Sequence, residues 1–350
     1  MTDNTLDPQV AMRELVDFSQ KFAAGIPALQ AAAGVEVGCS DKEAVFRDDK
    51  ITLYRFKPIA KPAGVTPVLI SYALVNRPYM MDLQADRSLI RRLLEQGLDV
   101  YLIDWGYPDG ADRFLDLDDY INGFLDRCVQ FVLDQHGIDK VNLLGVCQGG
   151  TFSLCYSALH PERIKNLVAM VTPVDFKTPE NLLSKWAQDM DVDAVVDSGG
   201  NVSGEMLNVA YVSLMPFRLM QQKYVSLVDI LGDPKQVENF MRMEKWILDS
   251  PDQAGDAFRQ FTKWFFQENR PIKGTHELEV ARRSTWKKTS MPVLNTTAAR
   301  ITWCRRRRRF RSPTTSARRI TPPSRWTSAT SACTLAASRR SSCRRPSRNG

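Results

Sequence analysis

A cysteine between two glycines has the surroundings in this sequence that most favour covalent chemistry. Residues 145–149 read GVCQG; they follow the apolar run VNLL at 141–144 and precede TFSLCYSAL at 151–159. The first run is typical of a buried strand and the second of a helix. Gly145 and Gly149 allow a sharp turn that exposes the side chain of Cys147. Because a thiolate both attacks thioesters and leaves from them, Cys147 indicates acyl-thioester chemistry.

Predicted strands and helices alternate on both sides of this turn. Strands are predicted at 50–56, 68–75, 100–104 and 167–171, and helices at 86–96 and 117–136. This rhythm predicts a mainly parallel sheet with helices on both faces. A nucleophile on a strand-to-helix turn of such a sheet is typical of the α/β-hydrolase fold. The predicted fold class is therefore α/β, an α/β-hydrolase fold with an inserted helical cap.

The composition divides the chain into segments. Residues 1–172 are expected to form the core, whose first 45 residues look helical and amphipathic, with Leu15, Phe18, Phe22 and Ile26 at helical spacing. Residues 173–270 are helix-rich and aromatic, which predicts a cap over the active site, and residues 271–295 return to the core. Most of the cap aromatics are expected to pack a core of the cap itself, and a few to line an acyl channel.

An acyl transfer through Cys147 also needs donors for the developing oxyanion. The backbone N–H of Gln148 begins the helix after the nucleophile and should be one donor, helped by the helix dipole. The second should come from the loop after the strand at 68–75, where Val75 is preferred and Leu74 is the alternative. No chemical part is expected for the Gln148 side chain.

The partner base is the missing component of this site. The only histidines are His136, His160 and His276. In the α/β-hydrolase order the base follows the nucleophile on a loop after the last strand, so His136 does not qualify. His276 precedes the last core strand and comes too early, and His160, in the turn after the helix at 151–159, is expected to make a cap or surface contact. Asp104 and Asp175 each lie at a strand end, but they are more typical of residues that cap a helix or brace a loop. Asp175 is the better alternative acid.

The remaining cysteines do not indicate a metal site or a disulfide framework. The seven cysteines lack zinc-type spacing, which favours a reduced protein with one reactive thiol. Cys128 and Cys155, on predicted helices, are expected in the core, and Cys39 gives no signal. No phosphate loop or dinucleotide fingerprint is present, so neither a metal nor a cofactor is expected.

The positive net charge comes entirely from the end of the chain. Residues 1–295 carry 32 basic and 40 acidic side chains, whereas residues 296–350 carry 15 arginines, no lysine and no acidic residue. One interpretation is a disordered basic tail. The other is a shifted reading frame, since GC-rich codons read out of frame give such text. Combining the third base of each codon with the next two permits Asp-His-Leu-Val-Pro-Pro from residues 300–306 and Gly-His-Ile-Gly-Met-Tyr from residues 328–334.

Five motifs together resemble one enzyme family. They are LVNRPY at 74–79, DWGYP at 104–108, DDYING at 118–123, LGVCQGG at 144–150 and TPVDF at 172–176. With them, residues 10–295 resemble the polyhydroxyalkanoate synthases, specifically the catalytic PhaC subunit of the two-subunit class III type. The resemblance implies polymerisation of (R)-3-hydroxyacyl-CoA, typically 3-hydroxybutyryl-CoA, into polyester through a Cys-His-Asp triad. It also implies a PhaE partner subunit and a cytoplasmic enzyme bound to polyester granules.

The resemblance places the triad acid in an Asp-His-x-Val-Pro-Pro motif and the base in a Gly-His-Ile-Gly motif. This chain lacks both motifs, and the shifted frame permits both. We therefore expect the chain as it stands to be inactive and poorly folded. Two other functions remain open: a thioesterase or depolymerase on the same fold, and nucleic-acid binding by the arginine-rich tail. No secretory signal or membrane span is predicted, and no nucleic-acid partner is expected for residues 1–295.

Overall fold

A twisted seven-stranded sheet forms the centre of the protein. The computed structural model describes residues 8–178, 182–270 and 291–296. His276 and residues 297–350 of the arginine-rich tail lie outside these residues, whereas Thr296 ends the last strand. The strands are β1 (Lys42–Asp48), β2 (Ile51–Phe56), β3 (Val68–Ser71), β4 (Val100–Asp104), β5 (Val141–Val146), β6 (Ile164–Met170) and β7 (Val293–Thr296). Their order across the sheet is β1-β2-β4-β3-β5-β6-β7.

The sheet is parallel except at one edge. β1 pairs with β2, and β2 with β4, in antiparallel register. The pairs β4–β3, β3–β5, β5–β6 and β6–β7 are parallel. The predicted mainly parallel sheet is therefore confirmed, and the carboxyl ends of β3, β5 and β6 meet at one edge of it.

Helices cover both faces of the sheet. The described α-helices are α1 (Pro8–Ala31), α2 (Leu89–Glu95), α3 (Asp126–His136), α4 (Gln148–Leu159), α5 (Leu182–Asp189), α6 (Val192–Gly199), α7 (Gly204–Ser213), α8 (Lys223–Val228), α9 (Pro234–Leu248) and α10 (Gly255–Phe261). Short 3₁₀ segments lie at Pro78–Met81, Ala85–Arg87 and Gly110–Phe114, and wider π turns at Asp119–Leu125, Phe217–Gln222 and Thr262–Gln267. None of the helices in the described ranges is long and apolar enough to cross a bilayer.

Alternating side chains of the central strands divide the core into two layers. In β4, Tyr101 and Ile103 pack with α3 and α4, whereas Val100 and Leu102 pack with α2 on the other face. Strands buried on both faces read as continuous apolar runs, which explains the sequence signal in β3, β4 and β5.

Two predicted boundaries differ from the structure by four residues or more. The first helix ends at Ala31 rather than near residue 45, and β1 begins at Lys42. Gly34 and Gly38 follow the helix, and Gly38 has a φ of 81°, which interrupts helical geometry. The strand predicted at 68–75 ends at Ser71, where its pairing with β4 and β5 stops. Residues 72–77 instead form a loop, named here the β3 loop.

The apolar stripe of α1 does not pack against the described body. Leu15, Phe18, Phe22 and Ile26 are all exposed. Only the last part of the helix docks, because Gly25 meets Leu231 and the following residues join a small cluster with α8 and α9. The helix is thus confirmed, but the burial that its amphipathic pattern suggested is not observed.

Helices α5–α10 lie between β6 and β7 and form the helical segment 182–270. This segment does not pack only within itself. Phe261 and Phe265 are buried in the same cluster as Phe152 of α4 and Phe176. The end of the segment therefore shares the core of the sheet domain. Other residues of the segment, such as Val192 and Leu207, pack in a separate small core, as expected for the cap.

Candidate active site

Cys147 occupies a strained turn at the carboxyl end of β5. Its φ of 54° and ψ of −123° are rare for a residue with a side chain. The turn is held because the Cys147 N–H donates to Met170 O at 3.0 Å and the Cys147 carbonyl accepts from Gly150 N at 3.0 Å. The side chain is exposed. The structure thus places the thiol at the sheet edge where the carboxyl ends of the parallel strands meet.

Close packing around the turn requires residues without side chains. A Cβ on Gly145 would lie 2.5 Å from Gly150 Cα, and one on Gly149 would lie 2.3 Å from Tyr72 O. These two glycines are therefore required not only for the sharp turn, as the sequence indicated, but also because other backbone atoms approach them closely. Gly150, which was not singled out, is equally constrained, since its Cβ would lie 1.9 Å from Thr172 Oγ1.

The backbone N–H groups considered as oxyanion donors differ in whether another group already accepts their hydrogen bond. Gln148 is the first residue of α4, so its N–H has no acceptor within the helix. The Gln148 side chain is buried, and its Oε1 accepts a hydrogen bond from the Leu74 N–H at 3.1 Å. Within the described ranges no acceptor is found for the Val75 N–H. This arrangement favours Val75 over Leu74 as the second donor.

Neither described histidine lies at the nucleophile. His160 follows the end of α4, and the 12 residues of that helix separate it from Cys147 by about 18 Å. Its ring packs on Tyr156, with 4.7 Å between centroids. His136 ends α3, before β5 begins, and its Nε2 lies 2.8 Å from the Tyr101 hydroxyl. His276 lies outside the described residues.

Both candidate acids brace loops. Asp104 accepts from Arg77 Nη2 at 2.7 Å and from the Gly106 N–H at 3.0 Å. Asp175 accepts from Asn269 Nδ2 at 2.9 Å and from the Lys177 N–H at 3.2 Å. These contacts match the structural roles that sequence analysis favoured for the two carboxylates.

The other described cysteines differ from Cys147 in their surroundings. Cys128 and Cys155 are buried, as expected, and burial raises the pKa of the Cys128 thiol to about 12. Cys39 Sγ donates to Asp82 Oδ1 at 3.2 Å. The pKa of the Cys39 thiol is raised mainly by burial and further by this hydrogen bond. In the parts of the chain that the structure describes, no group of His, Cys, Asp and Glu side chains is arranged to hold a metal ion.

Tyr211 is a candidate site residue that the sequence did not indicate. It lies on α7, in the helical segment 182–270, and packs beside Val202 and Leu207. Burial raises the pKa of Tyr211, and the negative charge of the Cys147 thiolate raises it further. The charge of Cys147 thus acts on Tyr211, which makes Tyr211 a candidate site residue. No sequence signal points to it, because its position depends on how α7 packs in the fold.

Comparison with known proteins identifies the family. Residues 66–273 match the alpha/beta hydrolase fold family, and residues 27–93 match the "Poly-beta-hydroxybutyrate polymerase (PhaC) N-terminus" family. The fold match covers more than half of the chain and agrees with the observed sheet.

Solved structures with this fold resemble the chain only distantly. The thioesterase domain from the curacin biosynthetic pathway is 11% identical, with a TM-score of 0.39, over 73% of this chain and 82% of that one. A putative lipase from Sulfolobus solfataricus is 19% identical, with a TM-score of 0.37, over 56% of this chain and 63% of that one.

Curated sequences give a much closer similarity. "Poly(3-hydroxyalkanoate) polymerase subunit PhaC" of Allochromatium vinosum is 57% identical over 290 residues, which cover 82% of this chain and 81% of that one. The protein of the same name from Thiocystis violacea is 56% identical, over 82% of this chain and 81% of that one. The one from Synechocystis sp. is 50% identical, over 81% and 77%. The chain therefore belongs to the family of PhaC subunits of poly(3-hydroxyalkanoate) polymerase, built on the α/β-hydrolase fold.

Proposed function

We propose that Cys147 carries the growing acyl chain of a poly(3-hydroxyalkanoate) polymerase that uses (R)-3-hydroxyacyl-CoA, with 3-hydroxybutyryl-CoA as the typical substrate. One observation supports this above the others: in a chain of the PhaC family, the exposed thiol of Cys147 lies on the strained turn between β5 and α4. No cofactor is required by the proposed reaction, because the CoA thioester is itself the activated substrate.

The first step transfers an acyl group to the cysteine. The Cys147 thiol loses its proton to a base, and the sulfur bonds to the thioester carbonyl carbon. The bond from that carbon to the CoA sulfur breaks, and CoA leaves as a thiol after it takes up a proton. The backbone N–H groups of Gln148 and Val75 are proposed to stabilise the oxyanion that forms between bond making and bond breaking.

The second step lengthens the polyester. The hydroxyl oxygen of another hydroxyacyl-CoA attacks the acyl carbon bound to Cys147, and its proton passes to the base. The bond from that carbon to the Cys147 sulfur breaks, and the sulfur takes the proton back from the base. The lengthened chain, now an ester that ends in a CoA thioester, returns to Cys147 through the first step, so each added unit releases one CoA. Water in place of the hydroxyl would give a thioesterase, which is the alternative that product analysis distinguishes.

The base and the acid of the triad are proposed to lie in the shifted reading frame. His136 and His160 lie away from Cys147, and both described candidate acids are committed to loops. The relatives also leave about a fifth of this chain unmatched, as a divergent tail would. We name the protein whose tail is read in the shifted frame, so that both motifs are present, the frame-restored enzyme.

The helical segment 182–270, together with the residues before it from 173, is proposed to act as a cap. The charge of Cys147 acts on Tyr211 of α7, which supports a path for the acyl group from the sulfur along this segment. We also propose, from the family alone, that a PhaE subunit and the surface of a polyester granule are partners of the cytoplasmic enzyme.

The decisive experiment compares the chain as it stands with the frame-restored enzyme. Each protein is incubated with 3-hydroxybutyryl-CoA, while free CoA, soluble 3-hydroxybutyrate and insoluble polymer are measured. We expect polymer and CoA from the frame-restored enzyme and neither from the present chain. Free hydroxyacid without polymer would support a thioesterase instead. Normal turnover by the present chain would contradict the proposed location of the base.

A further inference from the structure

The β3 loop, which carries Val75, is tied to the end of α9. Asn76 Nδ2 donates to the carbonyl oxygens of Trp246 and Ile247, each at 3.2 Å, and lies 2.7 Å from Ser250 Oγ. Carbonyl groups in the last turn of a helix lack intrahelical partners. The Asn76 amide therefore caps α9 from outside, and the residue that does so is the neighbour of the proposed oxyanion donor.

In a further hydrogen bond between α9 and the β3 loop, the helix supplies the donor and the loop the acceptor. Trp246 Nε1 donates to the carbonyl of Arg77 at 2.9 Å. Asn76 thus donates hydrogen bonds to α9, and the adjacent residue Arg77 accepts one from it. Asn76 itself has a φ of 59°, a left-handed conformation that asparagine adopts more readily than most residues. This conformation turns the chain between Val75 and Arg77.

Asp249, just after α9, forms a second clamp. Its Oδ2 accepts from the Tyr79 hydroxyl at 3.0 Å, and its Oδ1 accepts from the Tyr107 hydroxyl at 2.7 Å. Burial first, and then the Asp249 carboxylate, raise the pKa of both phenols, that of Tyr107 to about 12. Both hydroxyls therefore remain donors throughout the neutral range.

The β3 loop is also held by the end of β4. The Arg77 guanidinium donates to Asp104 at 2.7 Å and to the Gly106 carbonyl at 2.8 Å, and it lies 4.1 Å from the centre of the Tyr107 ring. The side chains of Arg77 and Asp104 are 12% and 13% exposed, so this ion pair is largely shielded from water. Asn76 and Arg77 of the β3 loop thus connect the end of β4 to the end of α9.

We propose that Asn76 and Asp249 are positioning residues, which hold the Val75 N–H in its catalytic place only while the end of α9 is docked on the β3 loop. The inference rests on the proposed function, since it assigns Val75 to the oxyanion hole. Coupling of this kind is reciprocal: whatever displaces α9 loosens the loop, and whatever loosens the loop releases α9. Acyl transfer would then proceed with the cap docked and stop when the cap moves away from the sheet edge.

The first test measures hydrogen exchange without substrate, both in the full 350-residue chain and in the frame-restored enzyme, and needs no catalysis. The Leu74 amide, bonded to Gln148, reports on the β3 loop, and peptides from 244–250 report on α9. Asp249→Asn and Trp246→Phe should each speed exchange of the loop peptide about tenfold, and Asn76→Gly should do the same to the α9 peptide. Glycine keeps the left-handed backbone and removes only the side-chain bonds.

The matched control is Leu248→Ala, whose side chain is exposed on the last turn of the same helix. It should leave exchange of the loop peptide unchanged. Unchanged loop exchange in both Asp249→Asn and Trp246→Phe would overturn the proposal. So would an increase spread evenly over the whole sheet, which would indicate general loss of stability.

The second test measures steady-state kinetics in the frame-restored enzyme. Asn76→Gly should lower kcat about tenfold or more and leave KM within about twofold, because the loop acts on the transition state. Leu248→Ala should leave both unchanged. A rise in KM with kcat unchanged would overturn the positioning role. Because exchange is measured without substrate, failure of the coupling can be distinguished from failure of Cys147 as the nucleophile.

Discussion

The side chain of Gln148 accepts a hydrogen bond from the backbone N–H of Leu74 at 3.1 Å, and both residues are buried. This bond joins the first residue of α4, next to the nucleophile, to the β3 loop. Sequence analysis expected no chemical part for this side chain and kept Leu74 as an alternative oxyanion donor. The bond occupies the Leu74 N–H, which supports the proposal that Val75 is the second oxyanion donor.

Replacing Gln148 with methionine should impair catalysis. Methionine fills a similar volume but cannot accept the Leu74 N–H, which leaves a buried donor unpaired at a cost of about 1–3 kcal/mol. The β3 loop would shift, and we expect kcat of the frame-restored enzyme to fall about tenfold to a hundredfold. CoA release at saturating substrate measures this. A methionine variant that folds and keeps full kcat would show that the bond does not position the donor.

Alanine at Gly149 should destabilise the protein. Its Cβ would lie 2.3 Å from Tyr72 O and 2.4 Å from Ser71 O, and these backbone atoms at the end of β3 have little freedom to move. We expect a loss of at least about 2 kcal/mol in the free energy of unfolding, measured by urea titration. The control is Gly199→Ala at the end of α6, where a Cβ meets nothing within 4 Å. Equal stability of the two variants would contradict the close packing of the turn.

Removing either partner of the Arg77–Asp104 pair should be costly. The pair is joined at 2.7 Å and is largely shielded from water, so Asp104→Asn or Arg77→Met leaves one charge without its partner. We expect each single change to lower the free energy of unfolding by about 3–5 kcal/mol. The double variant should lose less than the sum of the two, because no unpaired charge remains. Additive losses in a double-mutant cycle would show that the pair contributes little.

Alkylation of native cysteines should separate Cys147 from Cys128. The exposed Cys147 should react with iodoacetamide at about pH 8, whereas Cys128, whose pKa burial raises to about 12, should not. Peptide mass spectrometry measures both, and urea-unfolded protein, in which both should react, is the control. Equal native reactivity would contradict the described burial.

The raised pKa of Cys128 also predicts a pH dependence of stability. The folded protein keeps a proton that the unfolded chain releases above the ordinary thiol pKa of 9.0. This contribution is fully present below about pH 9 and is lost as the pH rises towards 12. In Cys128→Ala, the free energy of unfolding should fall less steeply as the pH rises from about 9 to 12. Urea titrations at several pH values measure this free energy. An unchanged alkaline dependence in the variant would contradict the assignment to Cys128.

Residues close in sequence were predictable, and residues brought together by tertiary packing were not. The turn around Cys147 could be found because its glycines lie within two positions of it, and the buried strands could be found from continuous apolar runs. The exposure of Phe22 could not be predicted, because the helical period is the same whether the apolar face packs within the chain or elsewhere. The contacts of Asp249 with Tyr79 and Tyr107, and the effect of Cys147 on Tyr211, depend on how α7 and α9 pack in the fold, which no local pattern encodes.

The central claim is that Cys147 carries the acyl group, and peptide mass spectrometry of the acylated frame-restored enzyme tests it most directly. After brief exposure to 3-hydroxybutyryl-CoA and acid quenching, the account predicts a hydroxybutyryl adduct on the peptide containing Cys147, and none in Cys147→Ala. An adduct on another residue, or polymer formation by Cys147→Ala at the normal rate, would contradict it.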